Sequence, residues 1–174
     1  MDALIRTHQP VPDFSLPDLE GKLHRLRDYR GRLAVVNFWS AECPHAARVD
    51  SELLAIMKTW GERVTLLPIA ANVNEHEELL RETAAERGLP LVLLDRDQQV
   101  ADRYRALTTP HCFVVDAQGI LRYQGAFDNL SFRQRAATQF YLRQAVEAVL
   151  AGQPPDPEQT PPYGCAIVRS KPYD

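Results

Sequence analysis

The run Leu33-Ala34-Val35-Val36-Asn37-Phe38-Trp39, followed at once by Ser40-Ala41-Glu42-Cys43-Pro44, restricts this chain more than any other stretch. Seven residues that are almost all apolar, with β-branched side chains in the middle, read as a strand covered on both faces. The change to small and polar residues then ends the strand and begins a helix. Pro44 suits the first helical position, where no backbone N–H is required. Cys43 therefore falls at a helix N-terminus, where unpaired N–H groups and the positive end of the helix dipole favour a thiolate, the nucleophilic form of cysteine. His45 stands beside it as a further source of positive charge. A cysteine serving only to fill the core would be expected inside the strand or on the apolar face of the helix.

Around this junction, strands alternate with helices. Val64 to Ala70 and Leu91 to Leu94 read as strands. Pro44 to Trp60, Glu75 to Arg87 and Gln98 to Tyr104 read as helices, the first with Ala46, Val49, Leu53, Ile56, Met57 and Trp60 on its buried face. Phe14, Leu16, Leu23 and Leu26 flank a Glu20-Gly21 turn and predict an N-terminal hairpin, with one helical turn over Leu26 to Arg30. Cys112 to Asp116 and Ile120 to Gly125 form a second hairpin about Gly119. Ser131 with Gln134 resembles a capping box and predicts a long helix to about Ala151, with Phe132, Ala136, Phe140, Val146, Val149 and Leu150 as core contacts. Early alternation implies parallel pairing with covered faces, and the late hairpin adds antiparallel strands. The expected fold is therefore α/β, a central mixed sheet flanked by helices, spanning residues 1–152. Residues 153–174, rich in proline and carrying Cys165, form an extended tail.

The totals exclude several classes. The 174 residues carry a net charge of −3 with no basic cluster, which argues against nucleic acid as a partner. No apolar run is long enough to span a bilayer, and Met1 to Pro12 lacks the apolar core of a signal peptide. The expectation is a cytoplasmic protein, or a periplasmic one whose leader has been removed. Three cysteines, Cys43, Cys112 and Cys165, are too few for a disulfide scaffold and too widely spaced for a zinc finger. They suit reactive thiols.

Several motifs together resemble the redoxin (AhpC/TSA-related) branch of the thioredoxin-fold superfamily. They are Pro12-Asp13-Phe14-Ser15-Leu16 with Gly21; Val35 to Trp39; Cys43-Pro44; Thr109-Pro110 before Phe113-Val114-Val115-Asp116; and Gly119 with Tyr123-Gln124-Gly125. The resemblance implies a thioredoxin-like fold and thiol–disulfide oxidoreductase chemistry, with no organic cofactor and no metal. It implies that Pro110 is cis, that Pro110 and Thr109 shape a groove for an extended substrate, and that Trp39 forms the rim beside Cys43. The implied partners are protein or small-molecule thiols and disulfides.

Two departures qualify that likeness. Cys43-Pro44-His45-Ala46 has alanine where Cys-x-x-Cys enzymes carry their second cysteine. Asn37 stands where thioredoxin has a buried aspartate. Peroxiredoxins, the rival reading with peroxide as substrate, carry Ser or Thr at the place of Ser40, but here no arginine precedes the Phe113 strand; Arg103 and Arg105 are the nearest substitutes. A binding module without turnover is the non-enzyme alternative. Cys43, His45, His111 and Cys112 are of the types that serve as soft metal ligands, but Ala47 replaces the second cysteine of copper-delivering relatives.

A second thiol can come from two places. Cys112 follows Pro110 by two residues, on the same side of its strand, and its apolar neighbours suit a packing thiol. Cys165 lies beyond a tail of thirteen residues, Gly152 to Gly164, which can extend about 40 Å. That exceeds the roughly 16 Å radius of gyration of such a domain. The ending Tyr163-Gly164-Cys165-Ala166-Ile167 also resembles a Gly-Cys-x-Ile element of a redoxin subgroup lacking the second Cys-x-x-Cys thiol. The expectation is that Cys43 attacks and Cys165 resolves.

Overall fold

The computed structural model describes residues 5–170; residues 1–4 and 171–174, the outer ends of the two expected segments, lie outside the described residues. Strand β3 (Leu33–Trp39) is buried along its entire length and lies at the centre of a five-stranded sheet. β4 (Val64–Ala70) pairs parallel with it on one side, and the short β5 (Leu93–Leu94) continues parallel beyond. On the other side β7 (His111–Val115) and β8 (Leu121–Gly125) add antiparallel, giving the order β5-β4-β3-β7-β8. The N-terminal hairpin, β1 (Ser15–Pro17) with β2 (Leu23–Arg25), lies outside this sheet and leads into one 3₁₀ turn at Leu26–Tyr29.

The period-two alternation of β3 separates two cores. Ala34, Val36 and Phe38 pack with Phe14, Leu26, Phe113 and Tyr104, the last from α3 (Gln99–Tyr104). Leu33 and Val35 face the opposite side. There they meet Val49 and Leu53 of α1 (Pro44–Trp60) and Leu142 and Val146 of α4 (Tyr141–Leu150). Trp39, at the end of the same face, packs with Ala46 and with Leu80 and Ala84 of α2 (Glu77–Arg87).

The long helix expected from Ser131 is not present. Residues 126–140 form an irregular loop, and α4 begins at Tyr141. The buried positions Leu142, Ala145 and Val146 repeat at helical spacing, but one turn further back the same face would carry Thr138 and Gln139, with Arg135 before them. A helix without an apolar stripe has nothing to dock. The loop is instead held by polar contacts. Asn129 Oδ1 accepts the Thr138 and Gln139 N–H groups, and Asp128 takes a two-pronged ion pair from Arg48 at 2.8 and 3.1 Å. Ser131 Oγ accepts from the Arg133 and Gln134 N–H groups, a local turn and not a helix cap. Phe132 is 83% exposed, and Ala136 and Phe140 are exposed as well, so none of the three is a core contact.

The tail is fixed to the domain. Its Gln159 bridges to Gln124 at the edge of β8, and Thr160 Oγ1 bonds the Tyr123 hydroxyl at 2.6 Å and accepts the Ala126 N–H at 3.0 Å. A side chain at Gly125 would strike the Thr160 backbone, so glycine permits this close approach. Further on, β9 (Cys165–Ala166) pairs antiparallel with β6 (Thr108–Thr109), Thr109 opposite Cys165. Ile167 is then buried in the core beside Ala106.

Because α4 starts at Tyr141, Leu142→Ala should cost about 2–5 kcal/mol of unfolding free energy, whereas Phe132→Ala should stay within about 0.5 kcal/mol of the parent. Urea denaturation of the two variants checks the helix boundary; equal destabilisation would restore the longer helix.

Candidate functional site

The site forms where β3 and β4 end side by side. Their parallel register pairs Trp39 with Ala70, so the loops that follow, residues 40–43 and 71–76, are neighbours. Cys43 is the N-cap of α1 and Pro44 its first residue. The seventeen-residue helix has Cys43 at its positive end.

Two short contacts of the Cys43 sulfur define the site. The Thr109 carbonyl oxygen is 3.1 Å away, where the thiol donates to it, and the Cys165 sulfur is 2.7 Å away. The Thr109–Pro110 bond is cis. The groove expected to receive an extended substrate is occupied by the protein's own tail, with Cys165 paired to Thr109. Gly164 is essential to that approach. A Cβ there would collide with the Thr109 carbonyl and come within 3.1 Å of Pro110 Cδ. His45 also faces the tail, its ring edge-on to Tyr163 with centroids 5.0 Å apart.

Burial opposes ionisation of Cys43. The Cys165 and Thr109 side chains and the Ala46 and Cys165 backbone N–H groups outweigh it, so the Cys43 pKa falls below its ordinary 9.0. The Thr109 hydroxyl is itself buried and has no hydrogen-bond partner among the described residues, which leaves it available to a thiolate. Cys165 is shifted the opposite way. Burial, the hydrogen bond with Cys43 and the charge of a Cys43 thiolate push it up to about 11. The two thiols are thus shifted in opposite directions, Cys43 toward the thiolate and Cys165 toward the thiol.

Cys112 takes no part in this pair. It packs with Val35, Val49 and Leu53 on the α1/α4 side of the sheet, and its thiol points at Asn37 Oδ1, 3.6 Å away. Full burial pushes its pKa up to about 12. Trp39 is not a rim residue. It is fully buried, donating from Nε1 to Asp50 Oδ2 at 2.7 Å, with the Arg87 guanidinium 5.5 Å over its ring. A seven-residue strand buried throughout leaves its last aromatic no route to the surface. Arg103 donates to the Asp13 carbonyl, away from the cysteine loop.

The sequence reading missed Glu75, which is 1% exposed. Its carboxylate accepts the Ser40 hydroxyl at 2.5 Å, the Ala41 N–H at 3.0 Å and the Glu42 N–H at 3.1 Å. Ser40 Oγ in turn accepts the Cys43 N–H at 3.2 Å. From the other side Arg87 donates to the Ser40 and Ala41 carbonyls and to Asp50. The loop before the cysteine is therefore held between a buried carboxylate that takes its N–H groups and a guanidinium that takes its C=O groups. One signal was available: Asn72-Val73-Asn74-Glu75 directly follows a buried strand adjacent to the one that ends at Trp39. His111, behind Pro110, is also buried. Its ring stacks on Phe113, and its Nδ1 accepts the Leu107 N–H at 3.1 Å. Burial holds its pKa down at about 4, against an ordinary 6.5.

Two measurements check these assignments. Glu75→Ala leaves the Ser40 hydroxyl and two N–H groups unpaired, and should destabilise by about 3 kcal/mol or more. Glu75→Gln, which keeps two acceptor lone pairs but must place an NH₂ against donors, should recover only part of that loss. For His111, the unfolded chain binds a proton below pH 6.5 while the native chain stays neutral down to about 4. Native stability is thus complete above pH 6.5 and declines as pH falls toward 4, by on the order of 3 kcal/mol. His111→Gln should flatten that part of the pH–stability curve.

Residues 7–124 match the model of the AhpC/TSA family. Among curated proteins, the thiol-disulfide oxidoreductase ResA of Geobacillus thermodenitrificans is 36% identical over 113 residues, covering 63% of this chain and 63% of its own length. The chain thus spans less than two thirds of that relative. A hypothetical protein from Sinorhizobium meliloti superposes with TM-score 0.86 at 28% identity, covering 97% of this chain and 98% of that one, a match that extends through the tail. The thioredoxin domain of a thiol-disulfide oxidoreductase from Bacteroides vulgatus gives TM-score 0.63 at 21% identity over 75% of this chain and 92% of that one. The fold is thioredoxin-like, and the chain belongs to the AhpC/TSA family.

Proposed function

We propose that this protein is a thiol–disulfide oxidoreductase whose redox centre is the pair Cys43 and Cys165. The observation that carries the reading is the 2.7 Å separation of the two sulfurs. A disulfide forms between thiols that can bring their sulfurs together, and here the tail already has them in contact. Cys43 supplies the thiolate. The N-terminus of α1, the Cys165 thiol and the Thr109 hydroxyl stabilise its charge, and Pro44 holds it at the helix start. Cys165 supplies the second thiol that position 46, an alanine, does not. Ser40, tied to Glu75, fixes the Cys43 backbone. The pair exchanges two electrons and two protons with external thiols or disulfides, and the similarity to ResA supports that substrate class.

Mild oxidation with the cyclic disulfide of dithiothreitol, followed by non-reducing peptide mapping, should recover Cys43 joined to Cys165 and leave Cys112 free. A Cys165→Ser protein that still cycles at the parent rate would sink this reading. The thiolate absorbance of the reduced protein should rise in steps with pH. The first lies below 9.0 and is absent from Cys43→Ser. The Cys165 step lies near 11. Oxidation should also stabilise the fold, because a link closing a loop of more than a hundred residues removes about 5 kcal/mol of unfolded-chain entropy in the loop-closure picture. Denaturant midpoints of the oxidised and reduced protein measure this gain.

A further inference from the structure

With the tail in place, Cys43 is 3% exposed, while Cys165 keeps part of its surface in solvent. The backbone edge beside Cys43 is taken, since Thr109 is paired with Cys165. The tail is also anchored on both sides of its cysteine. Thr160 is bonded to Tyr123 and Ala126 before it. After it, Ile167 donates its N–H to the Leu107 carbonyl, Val168 donates to Asn72 Oδ1 and accepts from Val73 and Gln98, and Ser170 donates to Gln98 Oε1. Arg169 pairs with Asp102 and donates to the Ala106 carbonyl at 2.6 Å. Lifting the tail from Cys43 would break most of these contacts together. Exchange at Cys165, the less buried cysteine of the pair, does not require the tail to be lifted.

We infer that external partners exchange sulfur at Cys165, and that Cys43 is the buried thiol that reacts only with Cys165. This deepens the proposed function and rests on the Cys43–Cys165 pair being redox-active. In the oxidised protein, a partner thiolate attacks the Cys165 sulfur. A partner–Cys165 disulfide forms, the Cys43–Cys165 bond breaks, and its electron pair leaves on Cys43 as thiolate. A second thiol of the partner then attacks the partner sulfur, completing the partner's disulfide and releasing Cys165, which takes up a proton. The partner dithiol has lost two electrons and the protein has gained them. Leaving-group chemistry agrees, because the sulfur with the lower pKa leaves faster. The lowered pKa of Cys43 makes it the better leaving group of the two. The groove beside Pro110 thus serves as the seat of the tail, and the partner's contact surface is the outer side of the segment around Cys165, including Tyr163.

Glutathione disulfide, applied to full chains in which one thiol of the pair is replaced and the buried Cys112 is kept, tests the assignment. With the other thiol of the pair gone, each adduct accumulates, and its position and rate are read by peptide mass spectrometry. Cys43→Ser should load glutathione on Cys165, and Cys165→Ser should load Cys43 at least about tenfold more slowly, because the tail must first open. Adding Ile167→Ser to Cys165→Ser should release the tail and recover about tenfold or more in the Cys43 rate. If Cys165→Ser loads Cys43 as fast as Cys43→Ser loads Cys165, or if freeing the tail leaves the Cys43 rate unchanged, the assignment is overturned. A parent protein that forms no Cys43–Cys165 disulfide overturns the proposed function itself, whereas a disulfide-forming parent with Cys43 freely loaded overturns only this inference.

Discussion

The site depends on one backbone pairing, the antiparallel contact of Thr109 with Cys165. A strand of two residues is a weak element alone, and it holds here because each flank is fixed by something else. The cis Thr109–Pro110 bond presents the Thr109 carbonyl toward Cys43. Gly164 has no Cβ and lets the tail backbone come against that carbonyl. Ile167 is buried in the core and sets the register from the far side. Any bulkier residue at position 164 would force the strands apart and carry the two sulfurs with them. The contact between Cys43 and Cys165 thus rests on Gly164 as much as on the cysteines themselves.

Thiolate chemistry beside a buried carboxylate needs explanation, since like charges oppose ionisation. Here Glu75 is spent on the backbone: its oxygens take the Ser40 hydroxyl and two N–H groups. Arg87 neutralises Asp50 and the adjoining carbonyls. Burial still raises the Asp50 pKa, against which the Trp39 and Arg87 hydrogen bonds act. These charges fix the loop and the start of α1. The groups aimed at the Cys43 sulfur itself are the neutral or dipolar ones, namely the Cys165 thiol, the Thr109 side chain and the helix N–H groups.

Local chemistry was the part most visible in the sequence. The run of Leu33 to Trp39, the proline after Cys43 and the apolar spacing through Trp60 place β3 and α1 with the limits observed. Cys165 was legible from its neighbours Tyr163, Gly164 and Ile167. Its seat was not, because the pairing with Thr109 joins segments 56 residues apart, and nothing local at Thr108 or Ala166 announces a strand. Glu75 escaped for a similar reason. It lies on a polar loop that looks solvated, and its burial follows only from the parallel register that sets residues 40 and 71 side by side. Ser131 shows the converse error. A Ser with Gln three residues on satisfies a local capping rule, yet no apolar stripe follows to give a helix something to pack on.

Pairing Cys43 with a cysteine 122 residues away, as proposed, would change what oxidation does to the molecule. A Cys-x-x-Cys disulfide closes a small ring within one helix turn and leaves the chain ends free. A Cys43–Cys165 bond would tie α1 to β9, the last strand among the described residues. Coupling of this kind is reciprocal: whatever the bond adds to the stability of the fold, the fold adds to the stability of the bond. In the proposed function, the contacts of Thr160, Ile167, Val168 and Ser170 would therefore belong to the redox centre although none touches sulfur. They set the effective concentration of Cys165 at Cys43, which a tail of Gly152 to Gly164 swinging freely would dilute. Under the proposed pairing, alanine at position 46 would transfer the control of redox behaviour from a helix turn to the tertiary packing of the tail.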